Sequence, residues 1–183
     1  MKRQLCKFAL WTLGWKAVDP PAPEDKVVIL GVPHTSTFDF LISYLYYTSV
    51  GGKAHIMIKE ELFIGPLGWL LKKLGGLPIN RKNPTTIVLS VIREMNNSQR
   101  LHLAIAPEGS RKPTKRWKTG FHTIAKETGA AVYLGYFNWA KKEVGRGQKV
   151  ELTDNAREDM QRIQKLYEGM KLGAKHPDGY ITG

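Results

Sequence analysis

A histidine and an aspartate lie five positions apart in the stretch GVPHTSTFDF, residues 31–40. On one continuous helix, five residues turn the chain through about 500°, so the two side chains would point about 140° apart. They can meet only if His34 precedes the helix and Asp39 lies in its first turn. A carboxylate on one ring nitrogen fixes the tautomer and leaves the other nitrogen free to accept a proton. The spacing therefore suits a general base, or a capping turn in which His34 is solvated and Asp39 stabilises the helix N-terminus.

The residues around this pair favour a strand, a short turn and then a helix. The apolar run KVVIL at 26–30 is rich in β-branched residues, as in a strand covered on both faces. Pro33 disfavours helical backbone at Val32, which suits the end of a strand. Three hydroxyl residues at 35–37 are candidate N-caps for the apolar segment that follows. We therefore expect the pair to meet at the carboxyl end of a strand, where open α/β sheets bind ligands.

Two further predicted strands end in polar side chains. The short run LPINR ends in Arg81, and the motif PEGSR at 107–111 follows the strand LHLAIA. Because the carboxyl ends of parallel strands lie along one edge of a sheet, we expect Arg81, Glu108 and Arg111 to share a cleft with His34. Each of these side chains also has a simpler interpretation as a solvated or ion-paired residue in a turn.

The turn after Glu108 and the basic run behind it suggest anion binding. Gly109 removes a side chain, so that backbone can approach a ligand, and Ser110 can cap the next segment or donate a hydrogen bond. Five cations and no acid follow within RKPTKRWK: Arg111, Lys112, Lys115, Arg116 and Lys118. Arginine offers a planar fork for phosphate, and lysine adds point charge. The alternative is an ordinary solvated face.

Apolar runs alternate with amphipathic segments along the rest of the chain. AHIMIK is typical of a strand, AVYLGYFNW at 131–139 is predicted as one strand, and WKTGFHTIAKETGA at 117–130 is predicted as a helix. The alternation predicts an α/β fold, a single domain with a mostly parallel central sheet flanked by helices.

The overall charge indicates an anionic partner. The 183 residues carry a formal net charge of +12, with a pI near 9.8. Nucleic acid, an anionic membrane surface or a phosphorylated substrate would each fit. The single Cys6 excludes an intramolecular disulfide and fits a reducing compartment. Cysteine and histidine spacings typical of zinc sites are absent from the sequence.

The first 18 residues predict an N-terminal amphipathic helix. On a helical wheel Arg3, Lys7 and Gly14 share one side, and apolar residues cover much of the rest: Leu5, Phe8, Trp11 and Trp15. Lys7 interrupts the apolar region of a signal peptide, and the segment is shorter than the roughly 20 apolar residues that span a bilayer. The helix could lie in a membrane interface, or it could pack on the domain.

Three motifs occur in the order PHTSTFD, GGLPINR and PEGSR. Together they resemble the blocks of the glycerolipid acyltransferase family, of the 1-acyl-glycerol-3-phosphate acyltransferase type. The first block of that family is a histidine, four residues and an aspartate, which His34 and Asp39 match. The other matching positions are Gly76, Ile79, Arg81, Glu108, Gly109 and Arg111, with Ser110 in place of threonine.

The sequence departs from the family pattern at two places. Pro33 precedes the histidine where many members have asparagine, and the fourth block is degraded in AVYLG at 131–135. The motifs PHTS and WKTGF resemble those of a short bacterial subgroup. The departures bear on the acceptor substrate more than on the chemistry.

The resemblance implies an acyltransferase domain over residues 26–175. It implies acyl-CoA or acyl carrier protein as the thioester donor, a lysophospholipid or related lipid as the acceptor, and no metal or other cofactor. The implied catalytic pair is His34 as general base with Asp39 orienting it. Backbone N–H groups near the turn are the candidate oxyanion donors. The implied substrate-binding residues are Arg81, Glu108, Gly109, Ser110 and Arg111.

The partners implied are an anionic membrane surface, the donor carrier and the lipid acceptor. We expect a cytoplasmic protein held peripherally at the inner face of the cell membrane. The non-enzyme alternative is a basic nucleic-acid-binding domain, although no recognised nucleic-acid motif is present and none of this charge requires nucleic acid. The enzyme alternative is a thioesterase or hydrolase, in which water replaces the acceptor.

Overall fold

The computed structural model of the chain describes residues 1–80 and 83–181. The α-helices in this part are α1 (Lys2–Thr12), α2 (Thr37–Ser49), α3 (Gly65–Lys73), α4 (Pro84–Asn97), α5 (Gly120–Thr128) and α6 (Ala156–Met170). The strands are β1 (Lys16–Ala17), β2 (Lys26–Leu30), β3 (Ala54–Lys59), β4 (Gly76–Ile79), β5 (Leu101–Ile105), β6 (Ala131–Tyr133), β7 (Tyr136–Asn138), β8 (Glu143–Gly145) and β9 (Lys149–Val150). Short 3₁₀ turns lie at Glu60–Leu62 and Pro177–Gly179.

The central sheet has the strand order β4-β3-β5-β2-β6-β9. All pairings in it are parallel except that of β9, which runs antiparallel to β6 at one edge. In the pairing of β2 with β5, Leu30 is opposite Ile105, so the loops leaving the two strands begin side by side. The prediction of an α/β domain with a mostly parallel central sheet is confirmed.

A small second sheet, with the order β1-β8-β7, was not predicted. The prediction of one strand over residues 131–139 is wrong, because the chain leaves the central sheet after β6 and enters the second sheet at β7. Gly135 lies at the break, where a Cβ atom would stand 2.5 Å from Ile29 Cγ2. Beyond it, the N–H of Phe137 donates to the carbonyl of Val32 at 2.9 Å, which ties β7 to the turn after β2.

The helix predicted from residue 117 begins later, at Gly120. The Lys118 N–H donates to the carbonyl of Pro107 at 2.6 Å instead of joining a helix. Trp117 is buried in the core, with its ring 5.7 Å from the ring of Tyr167. The segment before α5 is therefore irregular and is tied by this hydrogen bond to the turn that carries Glu108.

Apolar cores cover both faces of the central sheet. Side chains from α4, α5 and α6 pack on one face, around Val28, Leu30 and Leu103. Side chains from α1 and α2 pack on the other face, around Val27 and Ile29. The connections from β2 to β3 and from β3 to β4 move toward the same edge, so right-handed crossovers place α3 on the face that carries α2. Full burial of each large apolar side chain stabilises the fold by about 1.5–3 kcal/mol.

The N-terminal helix is shorter than the 18 residues predicted and ends at Thr12. Gly14 adopts the left-handed conformation that glycine favours, with φ of +74°, and turns the chain toward β1. Trp15, placed on the apolar face of the predicted helix, instead lies beyond its end and is buried. Helix α1 packs against α2, with Cys6 and Leu10 buried. Among the described residues, no helix has both the length and the apolar character needed to cross a bilayer.

Candidate active site

The first turn of α2 is built around the carboxylate of Asp39. Ser36 is the N-cap, and its hydroxyl accepts a hydrogen bond from the Phe38 N–H at 3.2 Å. Asp39 Oδ2 accepts from the backbone N–H groups of Thr35, at 2.9 Å, and Ser36, at 2.7 Å. The backbone N–H groups of Thr35 and Ser36 therefore hold the aspartate at the position where the turn meets the helix.

His34 lies in the turn before α2, within reach of the same carboxylate. Its Nδ1 is 3.3 Å from Asp39 Oδ2. The Asp39 side chain is 1% exposed, whereas that of His34 is 29% exposed. Because Nδ1 faces the buried carboxylate, Nε2 is the nitrogen that can face a substrate. This is the strand–turn–helix geometry that the five-residue spacing requires, and it is suited to proton transfer at Nε2.

Glu108 joins the turn after β5 to the turn that carries His34. Its Oε2 accepts a hydrogen bond from the backbone N–H of His34 at 2.7 Å, and the residue is 5% exposed. Burial raises the pKa of the Glu108 carboxyl to about 7, and the hydrogen bond from the His34 backbone opposes this rise only in part. The structure thus brings Glu108 beside the pair, as the shared strand edge predicts, through the backbone of His34.

The remaining residues of the PEGSR motif lie in the turn after β5, next to the turn that carries His34. Gly109 has φ of +69°, and a Cβ atom there would lie 3.1 Å from Lys118 Cγ. The Ser110 hydroxyl donates to the carbonyl of Lys112 at 3.1 Å, so it bonds within its own turn. The Arg111 guanidinium donates to the hydroxyl of Thr37, at the start of α2. Arg111 therefore lies close to the turn of His34, and it remains exposed.

Arg81 lies outside the residues that the structure describes. The strand before it, β4, is separated from β2 by β3 and β5 in the sheet. The predicted meeting of Arg81 with His34 stays a prediction.

Three of the backbone N–H groups that were candidate oxyanion donors already donate to carboxylates. Those of His34, Thr35 and Ser36 donate to the carboxylates of Glu108 and Asp39, as described above. These hydrogen bonds order the turn, and they remove its first three N–H groups from direct contact with a substrate.

Reasoning from the sequence missed a residue that contacts Asp39 directly. Trp139, which follows β7, donates from Nε1 to Asp39 Oδ1 at 2.8 Å. The two residues are 100 positions apart, so no local spacing connects them. The contact exists because the second sheet, itself unpredicted, carries Trp139 back over the start of α2.

The segment after α6 also reaches the site. The backbone N–H of His176 donates to the Thr35 hydroxyl at 3.2 Å. Lys175 Nζ lies 3.5 Å from the ring centroid of Phe38 and 4.9 Å from that of Trp139. A cation is therefore held by aromatic rings on the side of the turn that Trp139 covers.

A histidine beside a buried carboxylate at the carboxyl ends of a parallel sheet is an arrangement suited to proton transfer in an enzyme. A family model described as Acyltransferase matches residues 19–134. The chain belongs to this acyltransferase family, and the resemblance found in its three motifs is confirmed.

The chain is also similar to a curated relative in sequence and to a solved structure in fold. The chain is 26% identical over 168 residues to a 1-acyl-sn-glycerol-3-phosphate acyltransferase of Streptococcus pneumoniae. That match covers 83% of this chain and 62% of the relative, so the chain spans less than two thirds of the relative's length. The crystal structure of the 1-acyl-sn-glycerophosphate (LPA) acyltransferase PlsC from Thermotoga maritima has a similar fold, with a TM-score of 0.63 at 15% identity. The similarity covers 92% of this chain and 76% of that one.

Proposed function

We propose that this chain is an O-acyltransferase that moves a fatty acyl group from a thioester donor to the hydroxyl of a lysophospholipid or related lipid. The donor is acyl-CoA or acyl carrier protein. The observation that carries the proposal is the contact between His34 Nδ1 and the buried carboxylate of Asp39, in a chain that belongs to the acyltransferase family. The name of the Streptococcus pneumoniae relative supports an acyl-glycerol phosphate as the acceptor class.

His34 acts as the general base in this proposal. Its Nε2 accepts the proton of the acceptor hydroxyl as the oxygen attacks the thioester carbonyl and forms a tetrahedral intermediate. Collapse of the intermediate breaks the C–S bond, and the imidazolium returns the proton to the leaving thiolate. Asp39 keeps the proton on Nδ1 and stabilises the imidazolium. A positioned base of this kind typically contributes about 10²–10⁴ to the rate.

Cations near the turn of His34 would hold the anionic part of the substrate. Arg111 is exposed beside Thr37, and the basic run behind it ends at Lys118, whose stem lies against Gly109. A guanidinium binds phosphate or carboxylate through two parallel hydrogen bonds. In this proposal Arg111 and Arg81 bind the acceptor head group. The conformation of the turn is maintained by Glu108, Gly109 and Ser110.

Exposed apolar side chains support action at an anionic membrane surface. On α1 these are Leu5, Phe8 and Trp11. A second group, the 62–70 surface, comprises Leu62, Ile64, Leu67, Trp69 and Leu70. Lys73 Nζ lies 4.7 Å from the ring centroid of Trp69, and tryptophan with lysine suits the boundary between lipid and water. The chain would thus lie peripherally at the inner face of the cell membrane, held also by its positive charge.

The test is an assay of the purified chain with radiolabelled acyl-CoA or acyl carrier protein and a set of lysophospholipids. We expect a diacyl product that depends on the acceptor. Release of free fatty acid at the same rate with and without acceptor would instead identify a thioesterase. Tight binding of RNA or DNA at physiological salt, with no acyl product, would favour the nucleic-acid alternative.

A further inference from the structure

The carboxylate of Asp39 is held from two sides. Its Oδ2 faces three groups, the backbone N–H of Thr35, the backbone N–H of Ser36 and the imidazole of His34. Its Oδ1 accepts from Trp139 Nε1 at 2.8 Å, the one donor to that oxygen within the described ranges. Rotation of a carboxylate about its last bond is intrinsically soft, so a donor on each oxygen is what fixes its plane.

Trp139 is itself fixed by parts of the chain far apart in sequence. Its backbone N–H donates to the carbonyl of Gly173 at 2.8 Å. The ring of Trp15 packs against its ring edge-on, with centroids 4.8 Å apart and an interplanar angle of 90°. Lys142 and Lys175 place their Nζ atoms 5.0 and 4.9 Å from its ring centroid. The indole is therefore a rigid group and not a mobile surface side chain.

We propose that Trp139 is a positioning residue for the His34–Asp39 pair, an inference that rests on the proposed acyl transfer. By donating to Oδ1, the indole N–H holds the plane of the carboxylate so that Oδ2 points at His34 Nδ1. Without this donor, Oδ1 is a buried acceptor with no partner, and the carboxylate can turn toward other donors. The imidazole then loses the partner that keeps its proton on Nδ1.

The effect belongs to the chemical step and not to substrate binding. In the described part of the chain, the side-chain hydrogen bond of Trp139 runs to Asp39, so its removal leaves Arg111 in place to hold the substrate. We expect Trp139→Phe to lower kcat by about tenfold or more, the size expected for the loss of a hydrogen bond to a charged group, with KM changed little.

Trp15→Phe is the matched control. It makes the same change in the ring that packs against Trp139, but Trp15 gives no hydrogen bond to Asp39 in the described part of the chain. We expect kcat of Trp15→Phe to stay within about threefold of the parent chain. Equal losses in the two variants would mean that packing alone matters, and would overturn the proposal.

A double-mutant cycle separates positioning from a general structural role. If Trp139 acts through Asp39, Trp139→Phe should reduce kcat far less in an Asp39→Ala background than in the parent chain. Losses that simply multiply would contradict the proposal. Thermal unfolding of each variant shows whether it is folded at the assay temperature.

An NMR measurement tests the contact without any activity. The indole N–H resonance of Trp139 is assigned by its disappearance in Trp139→Phe. We expect this resonance to be shifted downfield in the parent chain and to move upfield in Asp39→Ala. It should stay in place in His122→Gln, because His122 is a residue of α5 whose ring contacts Asp159 of α6. An indole resonance unaffected by Asp39→Ala would overturn the proposal. A chain that transfers no acyl group but shows the upfield shift would refute the proposed function and leave the contact intact.

Discussion

His34, Asp39 and Glu108 are joined by a few short contacts around one turn. Asp39 serves two purposes, because the oxygen that caps the turn also faces the imidazole. The residue types and the five-position spacing predicted this geometry. The sequence placed Glu108 at the same strand edge but did not predict its contact with the His34 backbone, because no side-chain pattern reveals such a contact. Trp139 could not be predicted, since its position depends on the second sheet.

The raised pKa of Glu108 predicts a dependence of stability on pH. Its folded-state pKa of about 7 lies above the ordinary value of 4.5, so ionising the buried carboxyl costs folding free energy. The free energy of unfolding is therefore highest, as far as Glu108 is concerned, below pH 4.5. It falls as pH rises toward 7, because the unfolded chain loses the proton before the folded one does. Glu108→Gln cannot ionise, and its amide oxygen can still accept from the His34 N–H.

We therefore expect Glu108→Gln to gain stability relative to the parent chain as pH rises from about 5 to about 8. At roughly 1.4 kcal/mol per pKa unit, the gain approaches about 3 kcal/mol. Urea unfolding across this pH range measures it. If the free energy of unfolding changed with pH equally in the two chains, Glu108 would have the same pKa folded and unfolded, which would contradict the prediction.

At the scale of elements, the clarity of the local apolar pattern determined which helices and strands could be predicted. Elements with clear apolar patterns, such as β2, β3 and β5, were predicted from sequence. Strands of two or three residues, such as β1, β8 and β9, were not, because their pairing depends on distant partners and not on local pattern. The break at Gly135 escaped prediction for the same reason, since only the approach of Ile29 and Leu30 makes a side chain impossible there.

The cap of α2 gives a prediction at this scale. Ser36→Ala removes the hydroxyl that accepts from the Phe38 N–H, and we expect a loss of about 1 kcal/mol in the free energy of unfolding. Ser90→Ala, in the middle of α4 and exposed, is the matched control and should change stability by less than about 0.5 kcal/mol. Urea denaturation of both variants and the parent chain measures the free energies of unfolding. If Ser36→Ala were as stable as the parent chain, Asp39 alone would cap the helix.

At the scale of the whole molecule, charge and exposed apolar groups act together. The net charge of +12 predicts attraction to anionic surfaces without naming one. Sequence pointed to the apolar face of α1, whereas the 62–70 surface became visible only once α3 was seen to bury little more than Gly68. With α3 on the face of the sheet that carries α1 and α2, these exposed side chains could contact one lipid surface.

Liposome sedimentation tests this arrangement. We expect binding to rise with the fraction of anionic lipid and to fall with salt, since each Lys or Arg near such a surface contributes about 1 kcal/mol. Ile64→Ser and Trp11→Ser should each weaken binding by about tenfold through lost apolar contact. Leu89→Ser, an exposed change on α4 across the sheet, is the control and should have no effect.

Two results would contradict the membrane proposal in different ways. Salt-insensitive binding to neutral liposomes would mean that apolar insertion acts without the charge. Equal binding by Ile64→Ser and Leu89→Ser would remove the 62–70 surface from the membrane contact.

The most direct test of the central claim is acyl transfer by His34→Ala and Asp39→Asn, each shown to be folded by its thermal unfolding. If His34 is the base and Asp39 orients it, the rate of diacyl product formation falls by about 10²–10⁴ in His34→Ala and substantially in Asp39→Asn. Acyl transfer within a few-fold of the parent chain in both variants would contradict the assignment of this pair as the proton acceptor.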